Sequence, residues 1–279
     1  MKERALRASR NRRRTPNHAR KRRPALGGTA AWLALADRLY AKGVDIFDHS
    51  EVVESDAGTR DPKVVALTLL ARTLGHFQAA VLLLNGDHVV EARTLVRCCY
   101  ENLFWIASLS KKGADFVKAM ELDDAASRMK RAGGLLGRSK AQSQTYDFAQ
   151  KLANFHKALR EKHGKPGPIQ QKQAADDGGV GDGYIIYREL SSDAAHPSAT
   201  SLSRYVSWIG EGDHDRFTVH AAPILDHRET EETLELLCSA ALGVCVGANE
   251  IIGGTLPGER LDVLFREFRK QSSGNKVAR

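Results

Sequence analysis

The sequence has few aromatic residues, few cysteines and no long uncharged apolar run. Aromatic residues make up only 6% of the 279 residues, which disfavours a fold rich in β-strands. The four cysteines form no Cys-x-x-Cys motif and lack the Cys/His spacing of a zinc site, so we expect free thiols rather than disulfides or a metal centre. No stretch reaches the roughly 18 uncharged apolar residues that span a membrane, so no transmembrane segment is expected.

Three segments instead carry apolar residues at alternating steps of three and four. The first stripe consists of Leu67, Leu70, Leu74, Phe77, Val81 and Leu84. The second consists of Ala92, Val96, Cys99, Leu103 and Ile106, and the third of Leu234, Leu237, Ala241, Val244, Ala248 and Ile251. This spacing predicts long helices that cross at shallow angles. We therefore expect an all-α fold, an antiparallel bundle of six or more helices, with little or no sheet.

The remaining elements are predicted to complete a single helical domain over residues 25–275. A first helix is expected from Thr29 to Lys42, more polar helices over residues 114–131 and 140–162, and a short helix over residues 184–195. Residues 164–183 contain six glycines and two prolines, which predicts a flexible loop. One strand is possible over residues 217–221.

Positive charge is concentrated in residues 1–24, here called the basic arm. The arm has eleven Lys/Arg and one acidic residue, whereas the rest of the chain has 31 basic and 33 acidic residues. We expect so polar a segment to be disordered and to contact nucleic acid or another polyanion. Because it has no aromatic side chain for base stacking, such binding should not depend on base sequence. The candidate nucleic-acid-binding residues are Arg10, Arg12, Arg13, Arg14, Arg20, Lys21, Arg22 and Arg23. A solvated arm without a partner is the alternative.

Residues 1–36 also allow interpretation as an export signal. Three basic residues, Lys21–Arg23, precede an apolar run that ends in Ala-Leu-Ala at Ala34–Ala36, which is the order of a signal peptide. Against this, Gly27–Thr29 interrupt the run and the helical pattern continues to Leu39 and beyond. We therefore expect an ordinary first helix and a cytoplasmic protein.

The second stripe carries charged residues on one face of its predicted helix. Arg93, Arg97 and Glu101 lie at i, i+4 and i+8 in a largely apolar surrounding. A buried charge needs a partner, so we expect Arg97 and Glu101 to be largely buried and paired. Such a carboxylate and guanidinium could bind a polar ligand or transfer a proton. The alternative is a purely structural Arg97–Glu101 pair.

A second polar segment runs from Tyr187 to Ser198. Tyr187 and Ser191 share a helix face, and the following proline places His196 at the helix end, where the helix dipole favours the charged imidazole. We expect Glu101 to face this segment, and its hydroxyl and imidazole groups could act as a general acid or base. Alternatively, His196 caps its own helix and Ser198 caps the next one.

A metal site in this segment is not expected. Asp193 and His196 have the i, i+3 spacing of metal ligands in helical bundles. Di-metal bundles need two Glu-x-x-His motifs, and the sequence does not have two. The glycine-rich run Gly178–Gly183 follows no strand and lacks the Gly-Lys-Ser/Thr ending of a phosphate-binding loop, so it is typical of a linker. No cofactor is therefore expected.

The two polar segments together resemble an uncharacterised bacterial family, the domain of unknown function 5677. That family is a helical domain with an Arg-x-x-x-Glu helix and a later Tyr…Ser…His stretch. The matching positions, which are also our candidate catalytic cluster, are Arg97, Glu101, Tyr187, Ser191 and His196. The resemblance covers roughly residues 60–255, excludes the basic arm and implies no known activity.

A weaker similarity is to small helical nucleases of the HEPN type. These use an arginine and a histidine on one helix with four to six residues between them. Here Arg188 and His196 have seven residues between them. Two other pairs have three, namely Arg72 with His76 and Arg216 with His220.

The sequence thus supports two functions. The first is a binding or interaction module inside the cell whose basic arm contacts a polyanion. The second is a hydrolase or nuclease of a bacterial defence or stress system that uses Glu101 and His196. Whether the chain forms a homo-oligomer stays open.

Overall fold

The computed structural model describes residues 27–52, 55–141, 146–164, 167–209, 216–226 and 228–277. Within these ranges the chain forms ten α-helices and one two-stranded sheet, so the prediction of an all-α bundle is confirmed. The basic arm lies outside the described residues, and its predicted disorder and binding stay predictions.

Helices make up most of the described chain. They are α1 (Gly27–Asp48), α2 (Pro62–Asn85), α3 (Val89–Lys112), α4 (Ala114–Ala141), α5 (Tyr146–His163), α6 (Gln171–Asp177), α7 (Gly183–Leu190), α8 (Ala199–Ser203), α9 (Glu229–Ile252) and α10 (Leu261–Val277). A π-helical turn, Ser191–Ala195, continues α7, and 3₁₀ turns occupy Gly58–Arg60 and Gly258–Arg260. The strands are β1 (Val206–Ile209) and β2 (Arg216–Val219).

The core lies between α1, α2, α3 and α9, which pack against one another. Each predicted stripe supplies buried side chains, for example Leu70 and Phe77 on α2, Val96 on α3 and Leu237 on α9. The first helix contributes Trp32, Leu35, Ala36 and Leu39 to the same core. The described part of the segment that allowed an export-signal interpretation, residues 27–36, is therefore part of the folded bundle.

Helices α2 and α3 form the predicted antiparallel hairpin. Asp61 is the N-cap of α2 and accepts a hydrogen bond from the Lys63 amide at 2.8 Å, with Pro62 at the first helical position, as favoured at helix starts. At the other end, Asp87 adopts a left-handed conformation with φ 62°, which turns the chain back within three residues. This tight link fixes which face of α3 packs against α2.

Two predicted boundaries are wrong. Helix α4 does not end near Arg131 but continues through Gly133 and Gly134 to Ala141, because packing against α5 outweighs the helix cost of glycine, about 1 kcal/mol each. The next helix begins at Tyr146 rather than at residue 140.

The segment predicted as a flexible loop, residues 164–183, contains α6. Ala174 and Ala175 of this short helix are buried, and the Ser108 hydroxyl of α3 donates a hydrogen bond to the Ala174 carbonyl at 2.7 Å. Seven residues are too few for a periodic pattern to show, so the glycines and prolines around this helix led to the prediction of a loop. The glycine-rich run that follows is a hydrogen-bonded turn leading into α7.

The strands form a hairpin whose apolar face points outward. The register pairs Val206 with Val219 and Trp208 with Phe217, so all four side chains lie on one face. Trp208, Phe217 and Val219 are 72%, 63% and 66% exposed.

Helices α2 and α9 are each long and apolar enough to cross a membrane by length and composition. In the bundle both are core helices, with much of their apolar surface buried against α1 and α3, and core helices commonly meet that criterion.

Candidate functional site

The charged face of α3 meets α7 and the π-helical turn. Helix α3 packs against both elements, which brings residues near position 190 against residues near position 97. The face carries Arg93, Arg97 and Glu101, one turn apart, as their spacing predicts. Two separate polar clusters form along this contact.

The first cluster is a closed triangle of Arg97, Glu101 and Tyr187. Arg97 Nη1 donates a hydrogen bond to Glu101 Oε1 at 2.6 Å and one to the Tyr187 hydroxyl at 3.2 Å. The Tyr187 hydroxyl in turn donates to the same Glu101 oxygen at 3.2 Å. The guanidinium also lies over the Tyr187 ring, 5.5 Å from its centroid, which is a cation–π contact. The prediction that Glu101 faces the Tyr187 segment is confirmed.

Burial in this triangle is incomplete. The side chains of Arg97 and Glu101 keep 20% and 24% of their exposure, so solvent reaches a site that was expected to be largely buried. Burial followed by the neighbouring Glu101 carboxylate raises the pKa of the Tyr187 hydroxyl, which stays protonated. Burial, the largest single effect, lowers the pKa of Arg97, but Glu101 together with Cys98 and Tyr187 outweighs burial and leaves this pKa raised. The triangle therefore holds one cation and one anion.

His76 of α2 lies within the field of this triangle. Its Nε2 accepts a hydrogen bond from Arg72 Nε at 3.3 Å. Burial, followed by the Arg72 charge, lowers the pKa of His76, whereas the Glu101 carboxylate acts in the opposite direction. We did not predict His76 as part of this site. The sequence does show Arg72 and His76 four positions apart, on one face of a helix. Their spacing could not show that His76 lies near Glu101 of α3.

Ser191 and His196 are placed differently from the triangle. The Ser191 hydroxyl donates to the Tyr187 backbone carbonyl at 2.8 Å and so braces the π-helical turn. His196 is exposed, and its backbone carbonyl accepts a hydrogen bond from the Ser201 hydroxyl at 3.1 Å. Among the described residues, no contact joins the His196 ring to Glu101.

Ser198 caps α8, as the structural alternative for this segment predicted. Its side chain accepts from the Ser201 amide at 3.0 Å, and the Ser201 hydroxyl accepts from the Ser198 amide at 2.8 Å. This reciprocal arrangement is a capping box.

The second cluster is an ion network that we did not predict. Asp193 lies between two arginines, with Oδ2 2.9 Å from Arg93 Nε, while Arg204 donates to its two oxygens at 2.7 and 3.0 Å. Arg204 also donates to both Glu229 oxygens at 2.8 and 2.6 Å. The side chains of Arg93 and Asp193 are only 7% and 8% exposed. The network ties α3, the π-helical turn, the end of α8 and the start of α9 together.

The charged side chains of both clusters are already paired with one another, and this limits the chemistry that they can perform. Each carboxylate in them accepts from at least one arginine, so an arginine already offsets its negative charge. In the part of the chain that the structure describes, no group of three or more His, Cys, Asp or Glu side chains is placed to hold a metal ion. The solvent-accessible groups of the triangle are the ones that a polar ligand could contact.

Comparison with known proteins gives a family and no function. Residues 63–215 match the family of unknown function DUF5677. This range includes all five candidate residues, but it ends before α9 and is shorter than the 60–255 we expected. No curated protein and no solved structure matches the chain, so the similarity to HEPN nucleases stays a prediction. Since the match covers more than half of its length, the chain belongs to the DUF5677 family.

Proposed function

We propose that this protein is a binding module inside the cell, in which a helical body carries a basic arm that contacts nucleic acid or another polyanion. The separation of charge is the observation that carries the proposal. Eleven of the 42 basic residues lie in residues 1–24, while the rest of the chain has a small excess of acidic residues. A polyanion is therefore attracted to the arm rather than to the body.

The contacts of Glu101 and His196 support a helical body that has no catalytic role. One oxygen of Glu101 accepts hydrogen bonds from both Arg97 and Tyr187, so two donors of the protein already occupy that oxygen. The exposed His196 ring has no contact with that carboxylate among the described residues. A general base and its partner would need to lie within hydrogen-bond reach of a common substrate atom.

The experiment compares the full chain with a chain that lacks residues 1–24. Fluorescence anisotropy with labelled duplex DNA and with labelled RNA measures binding, and thermal unfolding reports on the body. We expect deletion to abolish binding and to leave the melting temperature nearly unchanged, because α1 and its core contacts begin after the arm. Binding that survives the deletion would place the polyanion contact on the body and refute the proposal.

The alternative is a hydrolase or nuclease that uses Glu101 and His196. One observation favours it: a carboxylate and a phenol are in hydrogen-bond contact beside solvent, and such a pair can relay a proton. If this alternative is correct, the protein hydrolyses RNA or an ester. Both Glu101→Gln and His196→Ala should then lose this activity while remaining folded. Hydrolysis unaffected by these variants would exclude these residues as its origin.

The hairpin supports self-association as a further part of the proposal. Its outward face carries Trp208, Phe217 and Val219 without a charged side chain among them, and an isolated two-stranded hairpin is marginally stable in water. A second hairpin would cover this face with a surface of the same chemistry. Light scattering should then show a dimer that Trp208→Ser converts to a monomer.

A further inference from the structure

A cleft separate from the Arg97 triangle runs between α3, α9 and α10. One half, with a volume of about 360 Å³, is lined mainly by apolar side chains, including Leu103, Ile106, Leu242, Val246, Phe265 and Phe268. The adjoining half, about 600 Å³, is lined by Tyr100, Ser239 and the glycine-rich turn between α6 and α7. The two halves share Leu103, Val180 and Ser239. Their volumes are in the range of small-molecule sites.

Close backbone packing fixes the walls of this cleft. A Cβ on Gly243 would lie 2.6 Å from Leu103 Cδ1, and a Cβ on Gly178 would lie 2.6 Å from the Cβ of Ala107. At Gly178 the backbone of Ala107 and Ser108 also lies within 2.9 Å, so this approach requires glycine, whereas at Gly243 the close atom is the end of the Leu103 side chain. The wall formed by α3 and the turn after α6 is therefore fixed by backbone contact.

The half of the cleft beside the glycine-rich turn, here called the polar half, contains the buried hydroxyl of Tyr100. Tyr100 is 2% exposed, and its hydroxyl makes no hydrogen bond of normal geometry among the described residues, although Ser239 is close enough to interact with it. Buried polar groups in native proteins are nearly always hydrogen-bonded. Less than 1 Å² of this oxygen is accessible, so Tyr100 forms part of the cleft wall and Ser239 is the group that interacts with its hydroxyl.

The charge of the polar half selects a cation. Its two charged side chains are Asp176 and Asp182. Asp176 is already paired, since Lys172 Nζ lies 2.6 Å from its Oδ2, whereas Asp182 is exposed and has no charged partner in the described chain. At the far end of the apolar half, Lys111 and Glu250 carry opposite charges and offer no net attraction. Because Asp182 is the one carboxylate of this lining without a charged partner in the described chain, an amine is a better occupant than a metal ion, which needs more ligands.

We propose that this cleft binds a small amphipathic amine. The apolar body of the ligand lies between α9 and α10, against Val246 and Phe265. Its ammonium group lies beside the Asp182 carboxylate, in the half of the cleft that Tyr100 and Ser239 also line. This site is independent of the basic arm and of the Arg97 triangle.

The test uses three probes with one carbon skeleton: 4-phenylbutylamine, 4-phenylbutanoate and 4-phenylbutan-1-ol. Isothermal titration calorimetry with the full chain should show binding of the amine, with the carboxylate and the alcohol at least about tenfold weaker, because each lacks the charge-assisted contact. No binding of the amine would overturn the proposal, and equal binding of all three would overturn its charge selection.

Matched variants locate the contacts. Asp182→Asn, a change of an exposed side chain, should weaken amine binding about tenfold, and Val246→Trp, on the rim of the apolar half, should block it. Asp37→Asn removes an exposed carboxylate from α1, outside the cleft, and should leave binding unchanged. Circular dichroism confirms that each variant is folded. Amine binding that is unaltered by both Asp182→Asn and Val246→Trp would overturn the assignment of the site.

Discussion

The Tyr187 hydroxyl lies 3.2 Å from Oε1 of Glu101, although 86 positions separate the two residues in the chain. The contact exists because α7 packs against α3. Arg97, which lies one turn before Glu101 on α3, pairs with the same Glu101 oxygen. A local pair of α3 is thereby converted into a tertiary contact. The contribution of this contact to the free energy of unfolding depends on how far solvent still reaches it.

Removing the shared carboxylate should destabilise the protein moderately. Glu101→Ala leaves Arg97 as a partly buried cation whose remaining contact is with Tyr187. Because the two side chains are 20% and 24% exposed, we expect a loss of about 1–3 kcal/mol, below the cost of breaking a fully buried pair. Glu101→Gln keeps the shape and a hydrogen-bond acceptor and should cost less. Urea unfolding measures both.

The control for this pair is another helical pair at the same spacing. Lys157 and Glu161 of α5 are 75% and 67% exposed, so Glu161→Ala should change the free energy of unfolding by no more than about 0.5 kcal/mol. If Glu101→Ala costs no more than this control, the triangle contributes nothing to the fold.

The Asp193 network should be more costly to break. Asp193→Asn leaves the side chain of Arg93, which is 7% exposed, with only the exposed Glu189 carboxylate at 3.9 Å as a charged partner. It also removes one of the two carboxylates that hold Arg204. We expect a loss of about 3–5 kcal/mol in the free energy of unfolding. Asp124→Asn, in a pair whose side chains are both 53% exposed, is the matched control and should be nearly neutral. Equal effects of the two changes would mean that the network is not a structural tie.

Alkaline pH should destabilise the fold through its buried thiols. Burial raises the pKa of Cys245 from 9.0 to about 12, and burial followed by the Glu235 charge does the same for Cys238. Above pH 9 the unfolded chain loses these protons while the folded chain keeps them, so the free energy of unfolding falls as pH rises from about 9 towards 12. Each thiol contributes a slope of up to about 1.4 kcal/mol per pH unit.

Cys245→Ala removes one such thiol. The variant should lose stability less steeply between pH 9 and 11, by up to about 1.4 kcal/mol per pH unit, whatever its stability at neutral pH. Urea unfolding under reducing conditions gives the slopes. Parallel slopes for the variant and the natural chain would show that this thiol is not protected in the folded state.

The imidazole of His76 reports on the field of the triangle. Burial and then Arg72 lower its pKa, and Glu101 partly offsets them. Glu101→Gln should therefore lower the pKa of His76 further, and Arg72→Gln should raise it. An NMR titration of the ring protons measures both shifts. Shifts of opposite sign would show that the charges of α2 and α3 are not arranged as described.

These relationships differ in how far the sequence could predict them. The stripes of α2, α3 and α9 were readable because each helix is long and regular, and the Arg97–Glu101 pair follows from a spacing of four. The ion pairs of Asp193 with Arg204 and of Arg204 with Glu229 could not be predicted, because no periodicity links a π-helical turn, the end of α8 and the start of α9. Tyr187 was identified as part of a polar segment, and the need of a buried Glu101 for polar partners predicted that Glu101 faces this segment, although spacing alone would not have paired the two residues.

The central claim, that the basic arm makes the polyanion contact, is tested most directly by the salt dependence of binding. If about six of the arm's eleven cations contact duplex phosphates, the logarithm of the binding constant should fall by about 5 per tenfold rise in salt concentration. Anisotropy titrations of the full chain against labelled DNA across a salt series give this slope, and a scrambled duplex should give the same value. A slope near zero, or binding that depends on base sequence, would contradict the account.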